Sequence, residues 1–380
     1  MQEVKILFVD DEVNILNSLR RGLRLHRRDW DVKFCSSPTE AVRLLPVFKP
    51  SMVVSDKRMP EMDGIDFLRL VSQQSPETIR VLLTGDLAVE VALVATEVAH
   101  MLISKPFQIE SLIQQLSQAL YTQKLPVSLQ VRQQLGLIQH IPVLPQVYQQ
   151  LVSYLKSTDV DVKEISKIIS QEPVILAKMI QLANSAFFSY CRPVANAHEL
   201  VARLGVKLIK NMVLIFGVFR ECQHVNEEER EYLLSESMNI SLLAQQACLA
   251  CGYKGEEADE SFLVGQLHNF GVLMSNMAVI QIEADDNDIQ PRQEDIIGAY
   301  LLTLWEFDSD IVNAVLFQGV PEADENPTIL SCFLHVGKIV HNAVKEGKSA
   351  LDEDAGLKTS LLASQGLLEN VNLWIKKIEA

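Results

Sequence analysis

The sequence predicts two folds in tandem: an α/β domain built on a doubly wound, five-stranded parallel (βα)5 sheet, then an all-helical bundle. Two observations predict this. From Val4 to Tyr121 short apolar runs alternate with stretches of helical periodicity, the pattern of a parallel sheet covered on both faces. From Ile141 onward essentially only helical periodicity remains.

The strand-like runs are KILFV (5–9), VKFC (32–35), MVVS (52–55), RVLL (80–83) and HMLIS (100–104). Each is short and largely apolar, as a strand buried on both faces should be. Between the first two, Val13–Leu25 places Ile15, Leu16, Leu19 and Leu23 on one helical face. The first domain is expected over residues 1–121. Residues 122–139 carry little strand signal and read as a linker with some helix. The helical domain is expected over 140–343. Within it, Asp161-Val-Lys-Glu164 is a capping-box-like start ahead of Ile165, Ile168 and Ile169. Glu172-Pro173 then restarts a helix carrying Leu176, Met179, Ile180 and Ala183. Residues 344–380 begin polar and end in a small amphipathic helix with Leu373, Trp374 and Ile378, a C-terminal helical tail. No internal repeat is evident.

Hydrophobic residues make up 48% and charged residues 22% of the chain, which fits ordinary globular domains with ample cores. Residues 1–4 lack the layout of a signal peptide, and the longest apolar stretch, near Met212–Phe219, is far short of the ~20 residues a membrane span needs. A cytoplasmic protein with no membrane insertion is expected. Cys35, Cys191, Cys222, Cys248, Cys251 and Cys332 are scattered and are expected to be free and buried. Cys248 and Cys251 form a CxxC inside a helical pattern, with no second pair to complete a zinc set. The formal net charge is −15, with 14 basic against 16 acidic side chains up to Tyr121 and 20 against 33 beyond it. So acidic a second part repels phosphate backbones, and no nucleic-acid partner is expected.

Asp10 and Asp11 end the first strand run, Asp56 the third, Thr84 the fourth and Lys105-Pro106 the fifth. In a parallel sheet these all fall on the carboxyl edge, where ligands bind. Three carboxylates there make an oxygen-only site suited to Mg²⁺. A lysine and a hydroxyl beside them would neutralise and hydrogen-bond a phosphoryl group during transfer to a carboxylate.

The stretches KILFVDDE, VVSDKRMPEMDG, RVLLTGD and SKPF resemble, in order, the receiver domains of two-component response regulators. The resemblance covers about residues 1–121. It implies Asp56 as phosphoacceptor, Asp10 and Asp11 with Asp56 as Mg²⁺ ligands, Thr84 as switch hydroxyl and Lys105 as phosphoryl contact. It also implies a cis peptide before Pro106. Leu102 stands where receivers usually carry an aromatic switch residue. Arg58 and Asp86 flank the phosphoryl position, either as a pair across its entrance or as solvated surface charge.

HIPVLPQVYQQLVSYL (140–155), ISKIISQEPVILAKMIQLANSAFFS (165–189) and ANAHELVARLGVKLIKNMVL (195–214) resemble the HDOD family. These HD-like helical output domains are related to the HD and HD-GYP phosphohydrolases, and the resemblance covers about residues 136–342. HD hydrolases hold metal through an early His, a His-Asp doublet and a late Asp. Here GQLHNFGVL (265–273) keeps His268 but has Asn269 in place of Asp. SMNISLLA (237–244) contains no early His, and Lys338 holds the late Asp position. Asn is a poor metal ligand and lysine repels the cation, so a degenerate site without metal is expected. FQGVPEADENP replaces the GYP signature. His335 and His341 do not share a helix face and, with His140 and His198, read as structural.

Together these resemblances imply a phosphorylation-dependent regulator. A sensor histidine kinase would load Asp56, and a non-catalytic helical domain would act through contacts with a downstream protein. A cyclic-dinucleotide signalling component is a candidate partner by family analogy alone. The alternative is a metal-dependent nucleotide or cyclic-dinucleotide phosphohydrolase of the HD superfamily. A transcription factor using 165–189 as a helix-turn-helix is disfavoured by charge. A homodimer stays open, because Gln108–Leu120 gives no decisive surface.

Overall fold

The computed structural model describes residues 4–379 apart from 86–94, 96–97, 139–145, 156–159, 185–193, 222–224, 276–289 and 306. The chain forms two compact units, the first built chiefly on Met1–Ile141 and the second chiefly on the residues from Pro142 onward.

The first unit carries a five-stranded parallel sheet in the order β2-β1-β3-β4-β5. Its strands are β1 (Val4–Val9), β2 (Trp30–Cys35), β3 (Met52–Asp56), β4 (Ile79–Thr84) and β5 (Met101–Ser104). The described helices between and after them are α1 (Val13–His26), α2 (Pro38–Phe48), α3 (Gly64–Gln74) and α4 (Ile109–Ala119). Side chains alternate across a strand, and the two faces collect separate cores. Ile6, Phe8, Met52, Val54, Ile79 and Val81 pack against Leu16, Leu19 and Leu23 of α1 and Leu112 and Leu116 of α4. Leu7, Val9, Val53 and Leu82 pack against Leu45 and Phe48 of α2 and Phe67, Leu68 and Val71 of α3. Leu102, in the place of the expected aromatic, packs half-buried against this second core. Away from the carboxyl edge, the buried charged residue of the sheet is Arg80 of β4, 2% exposed. After α4, a 3₁₀ turn (Leu120–Lys124) leads to α5 (Leu129–Gly136), capped by Ser128, whose Oγ accepts from the Val131 amide.

Throughout its described residues the second unit is helical. Its earlier helices are α6 (Gln146–Leu155), α7 (Val162–Ser170), α8 (Pro173–Ala183), α9 (Ala197–Leu204) and α10 (Val206–Glu221). Asp161 caps α7 by accepting from the Lys163 amide, and the break at Gln171-Glu172 precedes a helix that starts on Pro173. Leu151, Ile165, Ile169, Met179, Leu200, Ile209 and Met212 from these five helices form one core. The later helices of the chain are α11 (Glu227–Ala250), α12 (Glu256–Leu267), α13 (Phe270–Ser275), α14 (Gln293–Leu304), α15 (Ser309–Leu316), α16 (Ile329–Glu346), α17 (Thr359–Ser364) and α18 (Leu368–Ile378), with Ser275 and the residues from Tyr300 to Leu304 counted in the first unit. α12 is buried along the whole of Ser261–Leu267. Gly265 admits it against α11, for a Cβ there would lie 2.5 Å from the Ser241 Cα. Residues 350–375 are no loose appendage. Leu362, Val371, Trp374 and Ile375 join Ala244, Cys248, Phe333 and Val336 in a single core. Cys35, Cys248, Cys251 and Cys332 are free thiols, and Cys191 and Cys222 lie outside the described residues.

Candidate functional site

The carboxyl edge of the sheet brings together most of the residues expected there. Asp10 follows β1, Asp56 ends β3, Thr84 ends β4 and Lys105 follows β5, so strand register alone sets them side by side. Asp10, Asp56 and Thr84 are 1%, 8% and 2% exposed. Lys105 Nζ donates to Asp10 Oδ2 at 2.9 Å and to Asp56 Oδ1 at 2.5 Å. The Arg58 amide donates to the other Asp56 oxygen, Oδ2, at 2.7 Å, and the Glu12 amide donates to Asp10 Oδ1 at 2.8 Å. Asp11 is half-buried and makes none of these bonds.

An open cleft lies over this group, lined by Glu12, Asp56, Lys57, Arg58, Thr84, Gly85 and Lys105. Glu12, Lys57 and Gly85 were not singled out from the sequence. For Glu12 a signal was present, a third acidic residue directly after Asp10-Asp11. Asp86, the suggested partner of Arg58, lies outside the described residues. The turn after Asp56 is closed by Gly64, whose amide donates to the Lys57 carbonyl at 2.8 Å. A Cβ at Gly64 would stand 2.0 Å from the Asp56 carbonyl oxygen, which explains the glycine in MPEMDG. The Lys105-Pro106 peptide is cis.

Burial pushes the Asp10 carboxyl up from its ordinary value, against the pull of Lys105 and the Glu12 amide. Burial also opposes the charge on Lys105, but its hydrogen bonds to Asp56 and Asp10 prevail and its pKa is raised. The edge is therefore a partly desolvated anionic pair clamped by one cation. Hard carboxylate oxygens suit Mg²⁺, and the incompletely compensated Asp10 fits a second cation beside Lys105. Among the described residues no three His, Cys, Asp or Glu side chains are gathered into a ready metal-holding group, since Asp10 and Asp56 both turn to Lys105.

The positions of the expected HD remnant lie inside the second unit. His268 follows α12 and is 5% exposed, with Nδ1 2.6 Å from the Gly265 carbonyl. Burial and then the nearby Lys338 push its pKa down to about 3, so the ring is neutral. Asn269 Nδ2 donates to Glu236 Oε2 at 3.0 Å, a partner one helix away that no local pattern signals. Lys338 Nζ donates to Gln318 Oε1 at 2.7 Å, and Gln318 Nε2 donates to the His268 carbonyl at 2.9 Å. Asp295, 1% exposed, is held by Arg292 through two bonds of 2.9 and 3.0 Å. These residues do not fit a divalent metal: the doublet's acid is an amide already engaged, and an ammonium sits beside the ring. His335 is also buried, with Nε2 accepting from the Lys358 amide at 2.9 Å.

Comparison with known families decides what carries these sites. A family model for the response regulator receiver domain matches residues 6–117, and one for the HDOD domain matches residues 141–321. The chain carries a response regulator receiver domain followed by an HDOD domain. The receiver–HDOD chain is 27% identical over 205 residues to an uncharacterized protein of Treponema pallidum, covering 50% of this chain and 39% of that one. It is 31% identical over 122 residues to the hydrogenase transcriptional regulatory protein HoxA of Bradyrhizobium diazoefficiens, covering 32% of this chain and 24% of the relative. It thus spans less than half the length of these curated relatives. Among solved structures, the signal receiver domain of an HD domain-containing protein from Pseudomonas fluorescens is 32% identical, with a TM-score of 0.31, over 33% of this chain and 91% of that one. An HDOD domain protein with unknown function from Geobacter sulfurreducens is 15% identical, with a TM-score of 0.49, over 66% of this chain and 92% of that one. No described helix of the receiver–HDOD chain is long and apolar enough to cross a membrane.

Proposed function

We propose that Asp56 accepts a phosphoryl group from the phosphohistidine of a sensor kinase, and that this controls a non-catalytic HDOD domain acting through protein contacts. The observation that carries the reading is the Lys105 ammonium shared between Asp10 and Asp56 at the mouth of the cleft. In the transfer, an Asp56 carboxylate oxygen forms a bond to phosphorus as the bond from phosphorus to the kinase imidazole nitrogen breaks. The leaving nitrogen keeps the electron pair. Lys105 holds Asp56 in place before transfer and neutralises charge on the phosphoryl oxygens after it. The Arg58 amide keeps the second Asp56 oxygen fixed, and Thr84 lines the cleft where its hydroxyl can meet a phosphoryl oxygen. Mg²⁺, when bound, would be held by Asp10, Asp11 and Asp56 and would supply charge neutralisation.

Lys338 and Asn269 support the non-catalytic reading of the HDOD domain, because both disfavour a metal at His268. The domain boundaries that go with this reading are 1–121, 122–139, 140–343 and 344–380, with the last segment packed into the HDOD core. A cytoplasmic site of action beside a sensor kinase goes with it as well. Incubating the full chain with acetyl phosphate and Mg²⁺ tests the acceptor by intact mass. One phosphoryl group is expected on the wild type and none on Asp56→Asn, and a modified Asp56→Asn would refute the assignment. Turnover of a cyclic dinucleotide in the presence of Mn²⁺ would refute the non-catalytic reading.

A further inference from the structure

Arg80 is a buried cation in the middle of a sheet, and its surroundings are unusual. Its Nε donates to the Val98 carbonyl at 2.5 Å, and Nη1 to the carbonyls of Pro76 and Thr78 at 3.1 and 3.3 Å. Nη2 donates to the Gly136 carbonyl at 2.6 Å. None of these acceptors is a carboxylate. Gly136 ends α5, so its carbonyl belongs to the negative end of that helix. The helix C-terminus thus acts as counter-charge for a desolvated guanidinium.

His100 completes the contact. Its Nδ1 lies 3.1 Å from the Arg80 amide, and its Nε2 lies 2.8 Å from Arg80 Nη2 and 3.4 Å from the same Gly136 carbonyl. The guanidinium, the imidazole and the helix end therefore meet at one point. The fit is close, for a Cβ at Gly136 would lie 1.8 Å from the Pro76 carbonyl oxygen.

The same two strands lead to the cleft. Arg80 stands near the start of β4 and Thr84 at its end, while His100 precedes β5 and Lys105 follows it. The strands are paired in register from Val81↔Met101 to Thr84↔Ser104. Each strand carries a cleft residue at its carboxyl end and an α5-holding residue at its amino end, about 13 Å away on β4 and about 16 Å away on β5 at 3.3 Å per residue. A change in charge that draws Thr84 and Lys105 together shifts one strand against the other. Short, directional bonds to a buried guanidinium tolerate little shift, because each lost acceptor leaves desolvated charge unpaired.

We propose that α5 is a latch, held on the sheet by Arg80 and His100 and released when the Asp56 cleft takes up its phosphoryl group. This rests on the reading of Asp56 as phosphoacceptor. The test uses the full chain with Mg²⁺ and beryllofluoride as the phosphoryl mimic. Fluorine NMR reports binding, and hydrogen exchange read by mass spectrometry reports residues 129–136. In the wild type, bound beryllofluoride should speed exchange in α5. Absence of bound signal would refute the acceptor reading itself, whereas bound signal with unchanged or slower α5 exchange would overturn the latch. Gly136→Ala displaces α5 without altering either strand. It should exchange rapidly in α5 with no mimic present and, by reciprocity, half-saturate at about 5-fold lower beryllofluoride. A rapidly exchanging Gly136→Ala with wild-type half-saturation would overturn the link between the two ends of the strands.

Discussion

Acidification from pH 7 to pH 5 should weaken the helical unit well before its ordinary carboxylates titrate. His268 and His335 are buried, and burial with Lys338 nearby pushes them from 6.5 down to about 3 and about 4. In the unfolded chain both rings take up a proton near pH 6.5, whereas in the folded chain both stay neutral at pH 5. Stability from each is therefore full above about pH 6.5 and is lost as pH falls toward the folded value. The slope is about 1.4 kcal/mol per pH unit for each ring. Over 1.5 units this makes roughly 2 kcal/mol per ring and about 4 kcal/mol for the pair, a large share of a domain stability on the order of 5–15 kcal/mol. Urea unfolding of the full chain at pH 7 and pH 5, followed by hydrogen exchange in α12 and α16, measures the loss. His335→Gln, which can still accept from the Lys358 amide, should halve the pH dependence. A loss below about 1 kcal/mol in the wild type, or an unaltered slope in His335→Gln, would refute the argument.

Three further outcomes are expected. Lys105→Met strands the Asp10 and Asp56 carboxylates, which should cost about 3 kcal/mol at pH 7 and less as the pH falls and Asp10, whose pKa burial raises, takes up a proton; losses that do not change with pH in urea titrations would contradict this. Lys338→Met removes a positive charge that holds His268 down, so histidine NMR titration should show the His268 pKa rising from about 3. No rise would mean that Lys338 does not act on the ring. Trp374→Ala opens a cavity in the core shared by α11, α16 and α18, with an expected cost of about 3 kcal/mol, and a loss within error would show that the last helices are dispensable.

Local pattern and chain order were enough to read the sheet and its site edge. The five apolar runs sit within the observed strands to one or two residues, because burial on both faces leaves little freedom in composition. Most of the fourth inter-strand stretch, residues 86–94 and 96–97, lies outside the described residues. Asp10, Asp56, Thr84 and Lys105 were legible because a parallel sheet delivers every strand end to the same edge. Glu236, Gln318 and Asp295 were not. They meet His268, Asn269 and Lys338 only through helix packing that joins residues up to about a hundred positions apart, and nothing in their neighbours signals it. The same holds for Arg80, whose acceptors come from a turn, a strand approach and the end of α5. The 344–380 stretch misled in another way: its polar opening reads as a tail, while its closing amphipathic helix completes a core begun near Ala244.

The cysteines of both units offer a use of their own. Burial raises the thiols of Cys35 and Cys251 to about 11 and that of Cys332 to about 12, so hardly any thiolate exists at neutral pH. Alkylation must then wait for the surrounding structure to open. Cys35 ends β2 in the sheet and Cys332 lies in the helical core. Site-resolved labelling by mass spectrometry therefore gives the natural chain two independent clocks, one timing the opening of each unit, with no probe added to either.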